Sequence, residues 1–201
     1  MRTKWDERYG DAEYAFGTEP NDFLRDEMGR IPSGGNVLCL ADGEGRNGVY
    51  LAEQGYTVCS VDLSKVGLEK ANRLAVQRGV SIETVVADLA EYAVGEARWD
   101  GIVSIFCHLP SAVRASLHER VVAGLKPGGV FILEAYTPDQ LAHKTGGPSS
   151  EDLLMTSAAL DRELSGLDLA VKREVERDVI EGSFHTGRAA VVQIAGCRPV
   201  V

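Results

Sequence analysis

The run Gly43-Glu44-Gly45-Arg46-Asn47-Gly48 spells GxGxxG between an apolar segment ending at Ala41 and a helical pattern opening at Val49-Tyr50-Leu51-Ala52. Nineteen positions after Gly43, Asp62 closes the next apolar run. Glycines in such a turn let a ligand approach the backbone, and a carboxylate at that spacing accepts hydrogen bonds from ribose hydroxyls. The pattern points to a ribose-bearing cofactor crossing a strand end.

Charge separates the cofactor classes. A dinucleotide sets a pyrophosphate on this turn and on the positive helix terminus, yet the turn carries Asp42 and Glu44. Each would cost about 1 kcal/mol against that phosphate at water-like screening, and about 4 kcal/mol at an effective dielectric of about 20. S-adenosylmethionine has no phosphate, and its sulfonium and ammonium groups tolerate carboxylates. On this reading Asp42, Glu44, Asp62 and Asp88 line an acidic cofactor cleft. The literal GxGxxG keeps NAD(P)-dependent oxidoreduction as an alternative.

Other residues could act beside that cleft. His108 follows Phe106-Cys107 at the end of an apolar run, where a histidine can take a proton from an acceptor. Tyr14 and Phe16 are expected to form a lid whose aromatic faces attract a sulfonium. Trp5 and Tyr9, one helical turn apart, are expected to be core anchors. His143 and His185 fall in loops with no adjacent ligand, and Cys39, Cys59, Cys107 and Cys197 form no CxxC pair. Neither a metal site nor a disulfide framework is expected, and a reducing cytoplasm fits best.

These residues need elements to place them, and the chain alternates. Apolar runs at Val37–Ala41, Thr57–Val61, Ile82–Ala87, Gly101–Phe106 and Gly129–Ala135 read as strands. Between them lie helical patterns, among them Ser64–Gly79 and Ser111–Leu125; the latter repeats Val113, Leu117, Val121 and Leu125. Strands apolar on both faces, joined by crossover helices, predict an α/β, doubly wound, mostly parallel sheet. Residues 1–35 read as two short helices, Thr3–Tyr9 and Asn21–Arg30. A long loop runs from Tyr136 through Pro148, and a helix is predicted over Ser150–Leu164. Leu169–Ile180 and Ala189–Ala195 are read as an antiparallel edge pair, although Val171, Val175 and Val179 satisfy periods of two and of four alike. The sheet then has seven strands.

Composition bounds the partners. The 201 residues include 21 Lys and Arg against 30 Asp and Glu, a formal net charge of −9. With no basic cluster to neutralise phosphates, neither nucleic acid nor an anionic membrane surface is an expected partner. Neither a signal-peptide pattern nor a long apolar span is visible, so a cytoplasmic protein is expected.

In this order of motifs the chain resembles the class I S-adenosylmethionine-dependent methyltransferases, closest to the small bacterial tellurite-resistance and thiopurine methyltransferase-like branch. Residues 42–47 resemble that branch's first motif and Val61-Asp62-Leu63-Ser64 its second. Ala87-Asp88-Leu89, Trp99–Ser104 and Leu125–Gly129 resemble the third, fourth and fifth. The resemblance implies a single Rossmann-like domain over residues 1–201. Its parts would be an N-terminal helical lid (1–35), a cofactor-binding half (36–136), and an acceptor loop with C-terminal strands (137–201).

The resemblance further implies that the backbone at Ala41, Asp42, Gly43 and Gly45 cradles the methionine moiety of S-adenosylmethionine. Asp62, with Leu63, would hold the ribose, and Asp88 with the Leu89 amide would read the adenine edge. Phe106 would lie near the reacting methyl, with Tyr14, Phe16 and Tyr136 covering a small-molecule acceptor. Two positions depart from the family, Cys39 for its usual Asp and Ala41 for its first loop glycine. Cys39 is expected to face the sheet packing, and Ala41 to take a backbone angle alanine can reach. A thiol or chalcogen oxyanion acceptor needs no strong base. A non-catalytic module that binds the donor is the other alternative, motivated by Cys39 and Ala41.

Overall fold

The computed structural model describes residues 3–182 and 185–200. Among them seven strands form one sheet: β1 Asn36–Leu40, β2 Thr57–Asp62, β3 Glu83–Val86, β4 Trp99–Ile105, β5 Leu125–Tyr136, β6 Asp168–Glu181 and β7 His185–Cys197. Their order is β3-β2-β1-β4-β5-β7-β6. The first five run parallel, and β7 joins β5 and β6 antiparallel. The helices are α1 Lys4–Arg8, α2 Asp22–Glu27, α3 Arg46–Glu53, α4 Lys65–Gln77, α5 Ser111–Gly124, α6 Gln140–His143 and α7 Ser157–Glu163.

The period-two alternation of β1 splits the core into two layers. Leu38 and Leu40 pack with Ile102, Phe131 and Leu133 under Leu117 and Val121 of α5 and Leu160 of α7. Val37 and Cys39 pack on the opposite face with Val103, Ile132 and Leu51 of α3, under Phe23 and Leu24 of α2. Cys39 is buried there, as expected of a side chain facing the sheet packing. Ser64 caps α4, accepting the Gly67 amide at 3.1 Å.

The structure moves several boundaries and sets the short helix α6 inside the loop expected over 136–148. The helix after the glycine turn begins at Arg46 instead of Val49. Strand β5 already starts at Leu125, where it pairs with Trp99 across a register shift. The helix predicted over Ser150–Leu164 is a 3-10 turn at Glu151–Leu153 and a separate α7. Leu154 between them is extended, it and Met155 are buried, and Thr156 restarts the helix by accepting the Ala159 amide. Strand β7 starts at His185, not Ala189, because it pairs with β6 to the hairpin end, Glu181 opposite His185. Among the described residues no helix is long and apolar enough to cross a membrane.

Candidate active site

The carboxyl ends of β1 and β2 meet at the glycine turn. Ala41 has φ +50° and Gly43 φ +56°, so alanine does reach the left-handed angle needed there. Gly45 has φ +85°, and a Cβ on it would lie 2.5 Å from Cβ of Ala71, so α4 packs against bare backbone. Asp62 ties the turn down: Oδ2 accepts the Gly43 amide at 2.9 Å and Oδ1 the Ser64 amide at 2.7 Å. Burial raises the pKa of Asp62 despite these bonds.

Neither acid of the turn faces the cleft as a free charge. The Asp42 carboxyl lies beneath the turn, accepting Ser60 Oγ at 2.6 Å and the Gly48 amide at 3.3 Å, and burial raises its pKa to about 7. Glu44 is neutralised by Lys70, whose Nζ stands 2.5 Å from Oε1, while Oε2 accepts the Ala15 amide at 2.8 Å. The charge discrimination expected of Asp42 and Glu44 is therefore not exerted at the turn surface, which corrects that part of the sequence reading.

Beyond Asp62 the edge opens. Asp62 pairs in register with Val86, and Leu63 (43% exposed) and Val86 (54% exposed) present apolar side chains beside the exposed Asp88. Asp88 caps its own turn through the Ala90 amide at 2.9 Å. Leu89 buries its side chain in the core, and its carbonyl accepts Arg120 Nη2 at 2.8 Å.

At the ends of β4 and β5 the rings collect. Phe106, itself at φ +51°, contacts Tyr136 at 4.6 Å between centroids, His185 at 4.8 Å and His108 at 6.3 Å. Phe16 closes on His185 at 4.5 Å. His108 lies parallel to Tyr136, with Nδ1 2.9 Å from the Leu153 carbonyl and a buried Nε2 without a hydrogen-bond partner. Burial lowers its pKa to about 4, so the ring is neutral at neutral pH.

The residues present fit an adenosyl sulfonium: a carboxylate under a glycine turn, exposed apolar side chains on the same edge, and aromatic faces beyond. Residues 37–129 match the family described as "Methyltransferase domain". Over these residues the chain is similar to methyltransferase domains.

The chain's fold is similar to the crystal structure of TehB from Haemophilus influenzae with TM-score 0.71 at 20% identity, covering 88% of this chain and 61% of that one. A 2-heptyl-1-hydroxyquinolin-4(1H)-one methyltransferase of Mycobacteroides abscessus is 28% identical over 121 residues, 56% of this chain and 52% of its own length. A tRNA (uracil(54)-C(5))-methyltransferase of Pyrococcus abyssi is also 28% identical, over 70% of this chain but 39% of its own length. The chain thus spans about half or less of the curated relatives it matches.

Phe106, His108 and Tyr136 gather in one cluster of rings, which Phe16 reaches through His185, but Tyr14 does not join them. Its hydroxyl donates to the Lys70 carbonyl at 3.3 Å and its ring packs toward Val49 and Leu74, so it anchors the strap on α3 and α4. Tyr9 is buried, as expected of a core anchor, with its hydroxyl over Gly43. Sequence reasoning missed His185, read as a loop residue, and Glu181 beside it. Extending the β6–β7 pairing four residues earlier would have placed both at the hairpin end. Among the described residues no His, Cys, Asp and Glu cluster could hold a metal.

Proposed function

We propose that this chain transfers a methyl group from S-adenosylmethionine to a small soft acceptor, a thiol in preference to a chalcogen oxyanion. The observation that carries the reading is the pair of left-handed, non-glycine strand ends, Ala41 and Phe106, on the neighbouring strands β1 and β4. Such backbone costs of order 1–3 kcal/mol and persists where a site requires it. S-adenosylmethionine, when bound, supplies an electrophilic methyl on a cationic sulfur.

The chain's own residues do the rest. The backbone from Ala41 to Gly45 receives the methionine moiety, Asp62 with Leu63 the ribose, and Asp88 with the Leu89 amide the adenine edge. Phe106 offers its face beside the acceptor, while Tyr136 and the Phe16 strap exclude water, which sharpens alignment. His108 Nε2 stands ready to accept a hydrogen bond. An oxyanion suits this box poorly, because Arg46 and Arg177 are committed to Glu181 and Glu134. The same commitment and the net charge of −9 argue against a nucleic-acid acceptor. The relative named for a hydroxyquinolone supports a flat small molecule instead.

Isothermal titration tests the reading. S-adenosylhomocysteine should bind, and Asp62→Ala should weaken it by about 10- to 100-fold, the worth of a hydrogen bond to a charged group. No binding of either donor or product, or a response to NADH instead, would overturn it.

A further inference from the structure

We infer that His185, backed by Glu181, is the catalytic base that removes the proton from a neutral phenol- or thiophenol-like acceptor held against Phe106 and Tyr136, and that His108 only positions this acceptor. The inference rests on the methyl-transfer reading above. The ring of His185 meets Phe106 at 4.8 Å, Phe16 at 4.5 Å and Tyr136 at 5.4 Å. Its buried Nδ1 has no hydrogen bond and lies 3.6 Å from Glu181 Oε2. Glu181 is held from two other sides, by Arg46 Nη2 at 2.7 Å and Asn21 Nδ2 at 2.8 Å. A base needs a partner that orients one ring nitrogen and shares the charge the ring acquires, and a fixed carboxylate beside Nδ1 is such a partner.

His108 lacks that support. Its Nδ1 faces the neutral Leu153 carbonyl, so a proton gained at Nε2 would leave a buried imidazolium with no carboxylate beside it. Unpartnered and buried, Nε2 is suited to accepting a hydrogen bond from the acceptor. The charged and titratable groups around His185 are Glu181 of β6, Arg46 of α3, Arg8 of α1, Tyr136 of β5 and His108. Burial lowers its pKa first, and Arg46 and Arg8 lower it further, while Glu181 opposes them. The box of neutral rings and the pairing of Arg46 with Glu181 favour an uncharged acceptor whose proton must be removed.

In the step, the acceptor's proton passes to His185 Nε2 and its bonding pair stays on the oxygen or sulfur. That pair forms the bond to the methyl carbon, the carbon–sulfur pair remains on sulfur as a neutral thioether, and the imidazolium returns its proton to water.

The probe is 4-nitrophenol with S-adenosylhomocysteine present, because its phenolate absorbs where the phenol does not. Binding should raise the phenolate fraction in the wild-type protein and in His108→Asn, whose affinity for the probe falls. His185→Asn and Glu181→Gln should bind the probe without that band. With phenol as acceptor, which stays protonated at neutral pH, His185→Asn should lower kcat about a hundredfold, and Glu181→Gln should shift the acidic limb of the pH profile. Histidine NMR of the wild-type complex needs no variant: adding 4-nitrophenol should protonate His185 and leave His108 neutral. A phenolate band that survives in His185→Asn, protonation of His108 instead, or failure of 4-nitrophenol to bind while S-adenosylhomocysteine does, would overturn this assignment alone. Failure of S-adenosylhomocysteine to bind the wild-type protein would contradict the methyl-transfer reading.

Discussion

Asp42 couples the cofactor turn to pH. Its carboxyl is pinned by Ser60 and Gly48, and burial lifts its pKa from 3.8 to about 7. A carboxyl with a raised folded-state pKa favours the folded state while protonated. Its contribution is fully present below pH about 4 and is lost as pH rises through about 7. Asp42→Asn should flatten stability across that window, removing a slope worth at most about 4 kcal/mol, as chemical denaturation at several pH values would show. An unchanged slope would mean that Asp42 titrates in the folded state as it does in the unfolded chain. At this scale the sequence was legible where residue type constrains backbone: Ala41 could be read from the glycines around it. The left-handed Phe106 could not, since an aromatic residue carries no signal for that angle. The direction of the Asp42 side chain was likewise hidden, because Ser60 is its neighbour only across strands.

The strap from α1 to α2 is fastened to the glycine turn by polar contacts. Lys70 of α4 reaches Glu44 and donates to the carbonyls of Asp11 and Glu13 at 3.0 and 2.6 Å, and Asn21 donates through Nδ2 to Glu134 at 2.7 Å. Breaking a buried pair leaves a charge unmatched. Lys70→Met should therefore cost about 3–5 kcal/mol and loosen the strap. The double variant Lys70→Met with Glu44→Leu should recover most of that loss, with urea unfolding as the measure. The parallel strands were legible because burial on both faces leaves uninterrupted apolar runs. The broken helix before α7 was not, since Leu154 and Met155 fit a helical stripe as well as an extended core segment. His185 and Glu181 meet only through hairpin pairing, which depends on β7 as well as β6.

For the whole molecule, the turn, the aromatic box and the strap share one sheet edge, so a donor bound there should stabilise the fold as a unit. S-adenosylhomocysteine at a hundredfold excess over Kd should add about 2.7 kcal/mol, raising Tm by about 5–10 °C, while NADH leaves it unchanged. A Tm that responds to NADH and not to S-adenosylhomocysteine would return the GxGxxG turn to the dinucleotide reading. Overall net charge and alternation foretold the architecture and an acidic edge; pairing with Lys70 and burial under the turn then removed two of those acids from the cleft. The most direct test of methyl transfer follows a 13C-labelled methyl from S-adenosylmethionine by NMR, with thiophenol as acceptor. The sulfonium methyl signal should fall as an aryl methyl thioether signal rises in step with S-adenosylhomocysteine. Tight donor binding with the labelled methyl left on sulfur, across thiophenol, 4-nitrophenol and selenite, would contradict it and leave a module that binds the donor without turnover.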